Sequence, residues 1–393
     1  MTRLLTAFAL LLSIHALPAT GATGPARAWV RFDIRHIISA GAQGAADHRQ
    51  GRVAMTDDPV RMASISKLAV AIAVMRLRDT GLLNLDRDVS DYLGWQLRHP
   101  AFPDQPVTLR RLLSHTSGVR DGIDYALPLD ADLAAEMRRP EAWDMEHGPA
   151  DGYFSYSNLN FPIIAAVMEA VTRQRFDRIM ADELFDPLKI DACFNWTTCS
   201  MRAVRHALVL YNPDGSAARD DLKGHRPACG AIPARDGTCD VSTYRLGQQG
   251  AFFSPQGGMR ISPRGLARIG QLLLGARPDI LKTESLAEMT RMQWRYNGQN
   301  GDTEGGFHCA FGLGVMFLAV PDAPAECRDD PFGDGIPRFG HAGEAYGLRS
   351  GLFVDAVSKK GVAFYVTGLP DDAPKGRSAF TDAEEEMIAS AQN

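Results

Sequence analysis

The feature that most constrains this chain is the run from Ile65 to Leu77, ISKLAVAIAVMRL, which is apolar on nearly every side when wound as a helix. Such a helix has almost no solvent face, so it belongs in the interior with other elements packed around it. Gly81 supplies a C-terminal stop. The run is entered through Met62-Ala63-Ser64-Ile65-Ser66-Lys67, which sets Ser64 and Lys67 at i and i+3. On a helix those positions share a face with Cβ atoms roughly 5–6 Å apart, so Lys67 can reach the Ser64 hydroxyl. A serine is a weak nucleophile until a neighbour takes its proton, and the positive end of the helix dipole favours negative charge developing there. The plainer use of the same residues is a serine cap and a lysine solvating the first turn. With 19 serines and seven lysines in 393 residues, composition alone supplies roughly a third of an S-x-x-K match. The motif becomes informative through its company.

Tyr156-Ser157-Asn158 is the only Y-x-N in the chain. It precedes a helix expected from about Phe161 to Val171, in a loop from which a phenol and an amide can face a cleft. The competing use is a tyrosine packed under the loop with an asparagine cap. His341-Ala342-Gly343 is the only H-x-G, and its competing use is a strand-edge histidine before a glycine bulge. One K-x-G, Lys359-Lys360-Gly361, falls instead in a hairpin between strands expected at Gly351–Val357 and Val362–Val366, with Gly361 supplying the positive φ of the turn.

A length of 393 residues allows two or three domains, or one large domain with insertions. Hydrophobic residues at 45% and charged residues at 23% are ordinary globular values. A net charge of -5 gives no electrostatic reason to expect nucleic acid or an anionic membrane surface as a partner. Residues 1–22 read as a secretory signal: Arg3, then an apolar run from Leu4 to Leu17, then small residues with cleavage near Gly21 or Ala22. The mature protein is therefore expected to be secreted or periplasmic, without an integral membrane segment. In that oxidising setting the six cysteines read as disulfides, and their spacing favours Cys193–Cys199, Cys229–Cys239 and Cys309–Cys327. The alternative use, a metal site, finds no C-x-x-C or H-E-x-x-H.

Along the chain, Ala28–Ile34 alternates as a strand and Ile37–Gly41 can pair with it. A short helix should start at Thr108 as N-cap and end in Ser114-His115-Thr116-Ser117-Gly118. Residues 191–250 lack periodicity and read as an insertion held by its own disulfides. Order returns at Gly257-Gly258-Met259, followed by a helix over Pro263–Leu274. A closing helix is expected over Glu384–Ala391.

S-x-x-K, Y-x-N and H-x-G in this order, with Leu112-Leu113-Ser114-His115-Thr116-Ser117-Gly118 and Gln256-Gly257-Gly258-Met259-Arg260-Ile261-Ser262 between them, resemble the serine β-lactamase and penicillin-binding superfamily. Within it the chain is most similar to the class C β-lactamase-like serine hydrolases, over roughly residues 28–370. The resemblance implies an α/β fold of α+β type. An antiparallel sheet built from both termini and flanked by helices would occupy residues 27–75 and 255–393, with a mostly helical region over 76–254. It implies Ser64 as acyl-accepting nucleophile, with Lys67 and Tyr156 sharing proton transfer. It also implies Asn158 orienting Lys67 or a substrate carbonyl, and His341 supplying a donor beside Tyr156. Gly343 and the backbone N–H of Glu344 would complete an oxyanion hole with that of Ser64. No cofactor and no metal are implied.

Two positions depart from the family pattern. Ala342 stands where relatives carry Thr or Ser, and Glu344 adds a negative charge that Arg349 can offset. Apart from Ser358-Lys359, no second basic cluster for an acidic substrate is evident. The reading that follows is an exported serine hydrolase acting by acyl transfer on esters or amides, esterase-like or D-amino-acid-peptidase-like. A penicillin-binding D,D-carboxypeptidase or β-lactamase is the alternative, and a non-catalytic binding or sensing protein is the alternative of another class. An α/β-hydrolase is disfavoured because no G-x-S-x-G elbow occurs.

Overall fold

In the computed structural model, which describes residues 24–392, the two ends of the chain meet in one sheet. Strand Arg27–Asp33 lies antiparallel to Lys360–Val366, with Arg27 opposite Val366 and Asp33 opposite Lys360. The full order is Trp294–Arg295, Ala310–Phe311, Met316–Leu318, Arg338–Ala345, Leu348–Asp355, Lys360–Val366, Arg27–Asp33 and Ile37–Gln43, eight strands. Every neighbouring pair is antiparallel. The secretory signal expected over residues 1–22 lies outside the described residues.

Both faces of the sheet are covered, which explains why its central strands are apolar with little alternation. Ala28, Val30 and Phe32 are wholly buried in the cluster that includes Leu266, Ile269 and Leu273 of helix Pro263–Leu273. Trp29 turns the other way, against the cluster that holds Met387 and Ile388 of helix Asp382–Gln392. Gly270 makes the first packing possible, since a Cβ there would stand 2.2 Å from Phe32 Cζ. The expected hairpin is present, but its glycine has a different job. The left-handed turn residue is Lys359, at φ +55°. Gly361 sits inside the strand, where a Cβ would lie 2.4 Å from the Phe32 ring.

The central helix runs Ile65–Asp79, with Ile65 to Met75 all buried. Around it pack helices Thr283–Met289 and Phe176–Met180, the helical turn Ala181–Phe185 and strand Arg338–Ala345. Thr108 caps its helix as expected, accepting from the Arg111 N–H. Within residues 191–250 the structure has a hairpin of Leu210–Tyr211 with Ala217–Arg219, and this part is tied inward by a buried cluster. Arg260 makes a double contact with Asp220, at 2.8 and 3.2 Å, and Trp196 Nε1 donates to the same carboxylate at 2.8 Å. All three expected disulfides are formed. No helix among the described residues is long and apolar enough to cross a membrane.

Candidate active site

Ser64 precedes the first turn of the central helix, and the turn that presents it is fixed from several sides. Ala63 is held at φ +47°, a left-handed conformation that costs a non-glycine residue roughly 1–2 kcal/mol. Ser66 secures it, donating to the Ala63 carbonyl at 2.6 Å and accepting from the Met259 N–H at 3.0 Å. Ser64 makes no side-chain capping bond. Its hydroxyl faces Lys67 instead, with Nζ at 2.9 Å.

Lys67 is fully buried, which removes the reading of a lysine solvating the helix start. Its Nζ has two further partners, Asn158 Oδ1 at 2.7 Å and the Gln256 carbonyl at 2.9 Å. Burial pushes the amine down to about 7, with Asp121 and Glu304 pulling the other way. Asn158 is oriented in turn by Asp121, whose carboxylate accepts from the Asn158 N–H and Nδ2, the Ser157 hydroxyl and the Leu159 N–H, all at 2.8–2.9 Å. Asn158, so held, is one of the acceptors around Lys67 Nζ.

Tyr156 stands between two imidazoles. Its ring stacks on His115 at 4.4 Å and on His308 at 4.9 Å between centroids, and Lys67 Nζ lies 4.9 Å from its centroid. Burial raises the phenol above its ordinary value, and the contact with Ser64 opposes that. Both flanking histidines are depressed chiefly by burial, His308 to about 3. A neutral sandwich of this kind leaves the phenol protonated at neutral pH.

His341 is buried on strand Arg338–Ala345, and burial beside Lys67 pushes it to about 3. Its Nδ1 lies 2.6 Å from the Ala342 carbonyl, an acceptor only, so Nδ1 carries the proton and Nε2 presents a lone pair. In that tautomer the neutral ring directs its only N–H to its neighbour's backbone. Gly343 lets the same strand approach the nucleophile, because a Cβ would meet the Met62 carbonyl at 2.5 Å and the Ser64 nitrogen at 3.1 Å. Ser350 Oγ stitches the two together by donating to the Met62 carbonyl at 3.1 Å. Past Gly340 the strand has no partner on the Met316–Leu318 side among the described residues, so residues 341–345 offer an open edge. Glu344 pairs with Arg349 at 2.7 Å, as its sequence position suggested.

Ser64, Tyr156, Glu304 and Glu344 line both a cleft of about 780 Å³ and a recess of about 100 Å³. Lys67, Asn158, His341 and Gly343 adjoin them, so the residues singled out from the sequence converge. Four others were not singled out: Asp121, Glu304, His308 and Arg61. Asp121 lies just past the Ser117-Gly118 turn and Arg61 three residues before Ser64, proximities that could have flagged both. Glu304 and His308 reach the site only through the sheet's far strands. Among the described residues no group of three or more His, Cys, Asp or Glu side chains is arranged to hold a metal.

A family model described as Beta-lactamase matches residues 27–384. Penicillin-binding protein 4 of Amycolatopsis lactamdurans is 28% identical over 344 residues, covering 87% of this chain and 79% of that protein. Esterase EstB of Burkholderia gladioli is 29% identical over 332 residues, covering 78% and 76%. Among solved structures, a D-stereospecific amidohydrolase from Streptomyces sp. superposes with a TM-score of 0.63 at 18% identity, covering 94% of each chain.

Proposed function

The chain belongs to the Beta-lactamase family of serine hydrolases, and we propose that it cleaves small esters or amides by passing their acyl group first to Ser64 and then to water. The observation that carries this reading is the 2.9 Å contact between Ser64 Oγ and a fully buried lysine whose pKa is pushed down to about 7. At neutral pH a large share of Lys67 is the free amine, which can take the Ser64 proton as Oγ attacks the acyl carbon. Tyr156, held protonated, is the group suited to hand a proton to the leaving alkoxide or amine. The backbone N–H groups of Ser64 and Glu344 would receive the oxyanion, brought near each other by the close approach at Gly343. Lys67 then returns its proton to the Tyr156 phenolate, which frees the amine to take a proton from the water that attacks the Ser64 ester; as the acid product leaves, that proton passes back to Ser64 Oγ.

Esters or D-amino-acid amides are the favoured substrates. Ala342 offers no hydroxyl to a β-lactam or peptide carboxylate, and one named relative is an esterase. A D,D-carboxypeptidase is the second reading, supported by the named penicillin-binding relative. Export to the periplasm or beyond is supported by the three disulfides. The test is a panel of p-nitrophenyl acetate and butyrate, nitrocefin and D-alanine p-nitroanilide, each followed by intact-mass analysis. The expected result is fastest turnover of an ester or D-amino-acid amide and an acyl adduct on Ser64 that disappears in Ser64→Ala. An adduct on any other serine would overturn the mechanism.

A further inference from the structure

Arg61 is 7% exposed and lines the large cleft that Ser64 opens into. Its Nε and Nη1 are buried with no hydrogen-bond partner among the described residues. A buried guanidinium left unpaired costs free energy that a bound ligand can recover, so its persistence in a cleft calls for an explanation. The nearby carboxylate does not supply one, because Asp220 is engaged by Arg260 and Trp196. The aromatic neighbour does not neutralise it either. Arg61 and Arg219 each place their guanidinium carbon 5.2 Å from the Tyr346 ring centroid. A ring face attracts and orients a cation but leaves its charge and its N–H donors available.

Among the described residues, none of the acidic groups lining the same cleft forms an ion pair with Arg61 or Arg219. Asp121 binds the Ser157–Leu159 loop, Glu344 is paired with Arg349, and Asp124 accepts from the Ala126 N–H. Glu304 is raised by its recess toward the neutral form. The end of the cleft nearest Tyr346 therefore carries two arginines without a carboxylate of their own.

We propose that Arg61 and Arg219, spaced by Tyr346, form a subsite that selects substrates bearing a carboxylate, held while Ser64 attacks the ester or amide bond. This supplies the basic cluster that the sequence did not reveal. It rests on the serine acyl-transfer reading above. The carboxylate can belong to the acyl part, as in a dicarboxylic half-ester, or to the leaving group. The molecule's net charge of -5 works against anions in general, so a preference for them must be local in origin.

The test compares each anionic ester with its neutral methyl ester: mono-p-nitrophenyl glutarate for the acyl arm, 3-acetoxybenzoate for the leaving-group arm. In one arm kcat/KM should favour the anion by about tenfold or more, as a charge-assisted contact to arginine allows. That ratio should fall toward one in both Arg61→Gln and Arg219→Gln. Arg219 is only half-buried, so its variant decides the matter if Arg61→Gln does not fold. No preference in either arm, or a preference that survives substitution, would overturn the subsite while acylation of Ser64 by the neutral esters still stood. Absence of any Ser64 adduct with all four esters would instead overturn the acyl-transfer reading, and the subsite with it.

Discussion

Three acceptors at 2.7–2.9 Å would ordinarily hold a lysine in its charged form, yet at Lys67 burial outweighs them and the amine comes down to about 7. On the proposed mechanism the free amine is the base, so kcat/KM for a neutral ester should rise with pH through about 7 and then level off. His341 is already neutral above about 3, so His341→Gln should keep the midpoint of that limb even if it lowers the rate. A profile that falls as pH rises through the ordinary histidine range would mean that imidazolium is required. Burial raises Glu304 to about 7, and the share of it that is ionised around that pH favours the ammonium of Lys67, so Glu304→Gln should move the midpoint modestly to lower pH. Ser64, Lys67, Tyr156, Asn158 and His341 were legible because each lies in a short motif whose spacing has a local meaning. The sandwich of Tyr156 and the tautomer of His341 were not. One needs His308 brought from the distant loop before strand Ala310–Phe311, and the other depends on the direction of a single carbonyl.

At the scale of elements, strand alternation and the all-round apolar helix located the sheet's first strand, its hairpin and the central helix with little error. Glycine was the weak point, because a glycine in a sequence does not announce whether it serves a turn or a close approach. Gly361 was read as a turn residue, whereas the structure uses it to admit the Phe32 ring, as it uses Gly270 from the helix above. These two glycines clamp one aromatic side chain between sheet and helix. Gly270→Ala should therefore destabilise the protein by about 1–3 kcal/mol through overpacking, measured by urea unfolding. Adding Phe32→Leu should recover part of the loss, since it removes the atoms the new methyl meets. A Gly270→Ala protein as stable as the native one would show that the helix can shift away at no cost.

Across the whole molecule, the segment from 191 to 250 had no periodicity to read, and its attachment to the site was invisible because it depends on a side-chain contact. Cys229–Cys239 staples a part-exposed loop, whereas Cys193, Cys199 and Cys309 are buried. Mild reductant followed by differential alkylation should open Cys229–Cys239 first. The deeper anchor is Asp220 with Arg260, whose side chains are 4% and 2% exposed. Burial alone would raise the Asp220 carboxyl, but Arg260 and the Trp196 N–H hold it below its ordinary value of 3.8. A carboxyl lowered in the folded state contributes stability that is present above its unfolded pKa and is lost as pH falls through the folded one. Asp220→Asn should cost about 3–5 kcal/mol at neutral pH, because it leaves the Arg260 charge buried with only neutral partners. The variant and native proteins should also converge in stability at the acid end, below the native carboxyl's pKa, where that carboxyl has taken up its proton. Urea unfolding at pH 7 and at progressively lower pH measures both. A gap that stays constant down to the acid end would assign the loss to packing or hydrogen bonding instead of charge.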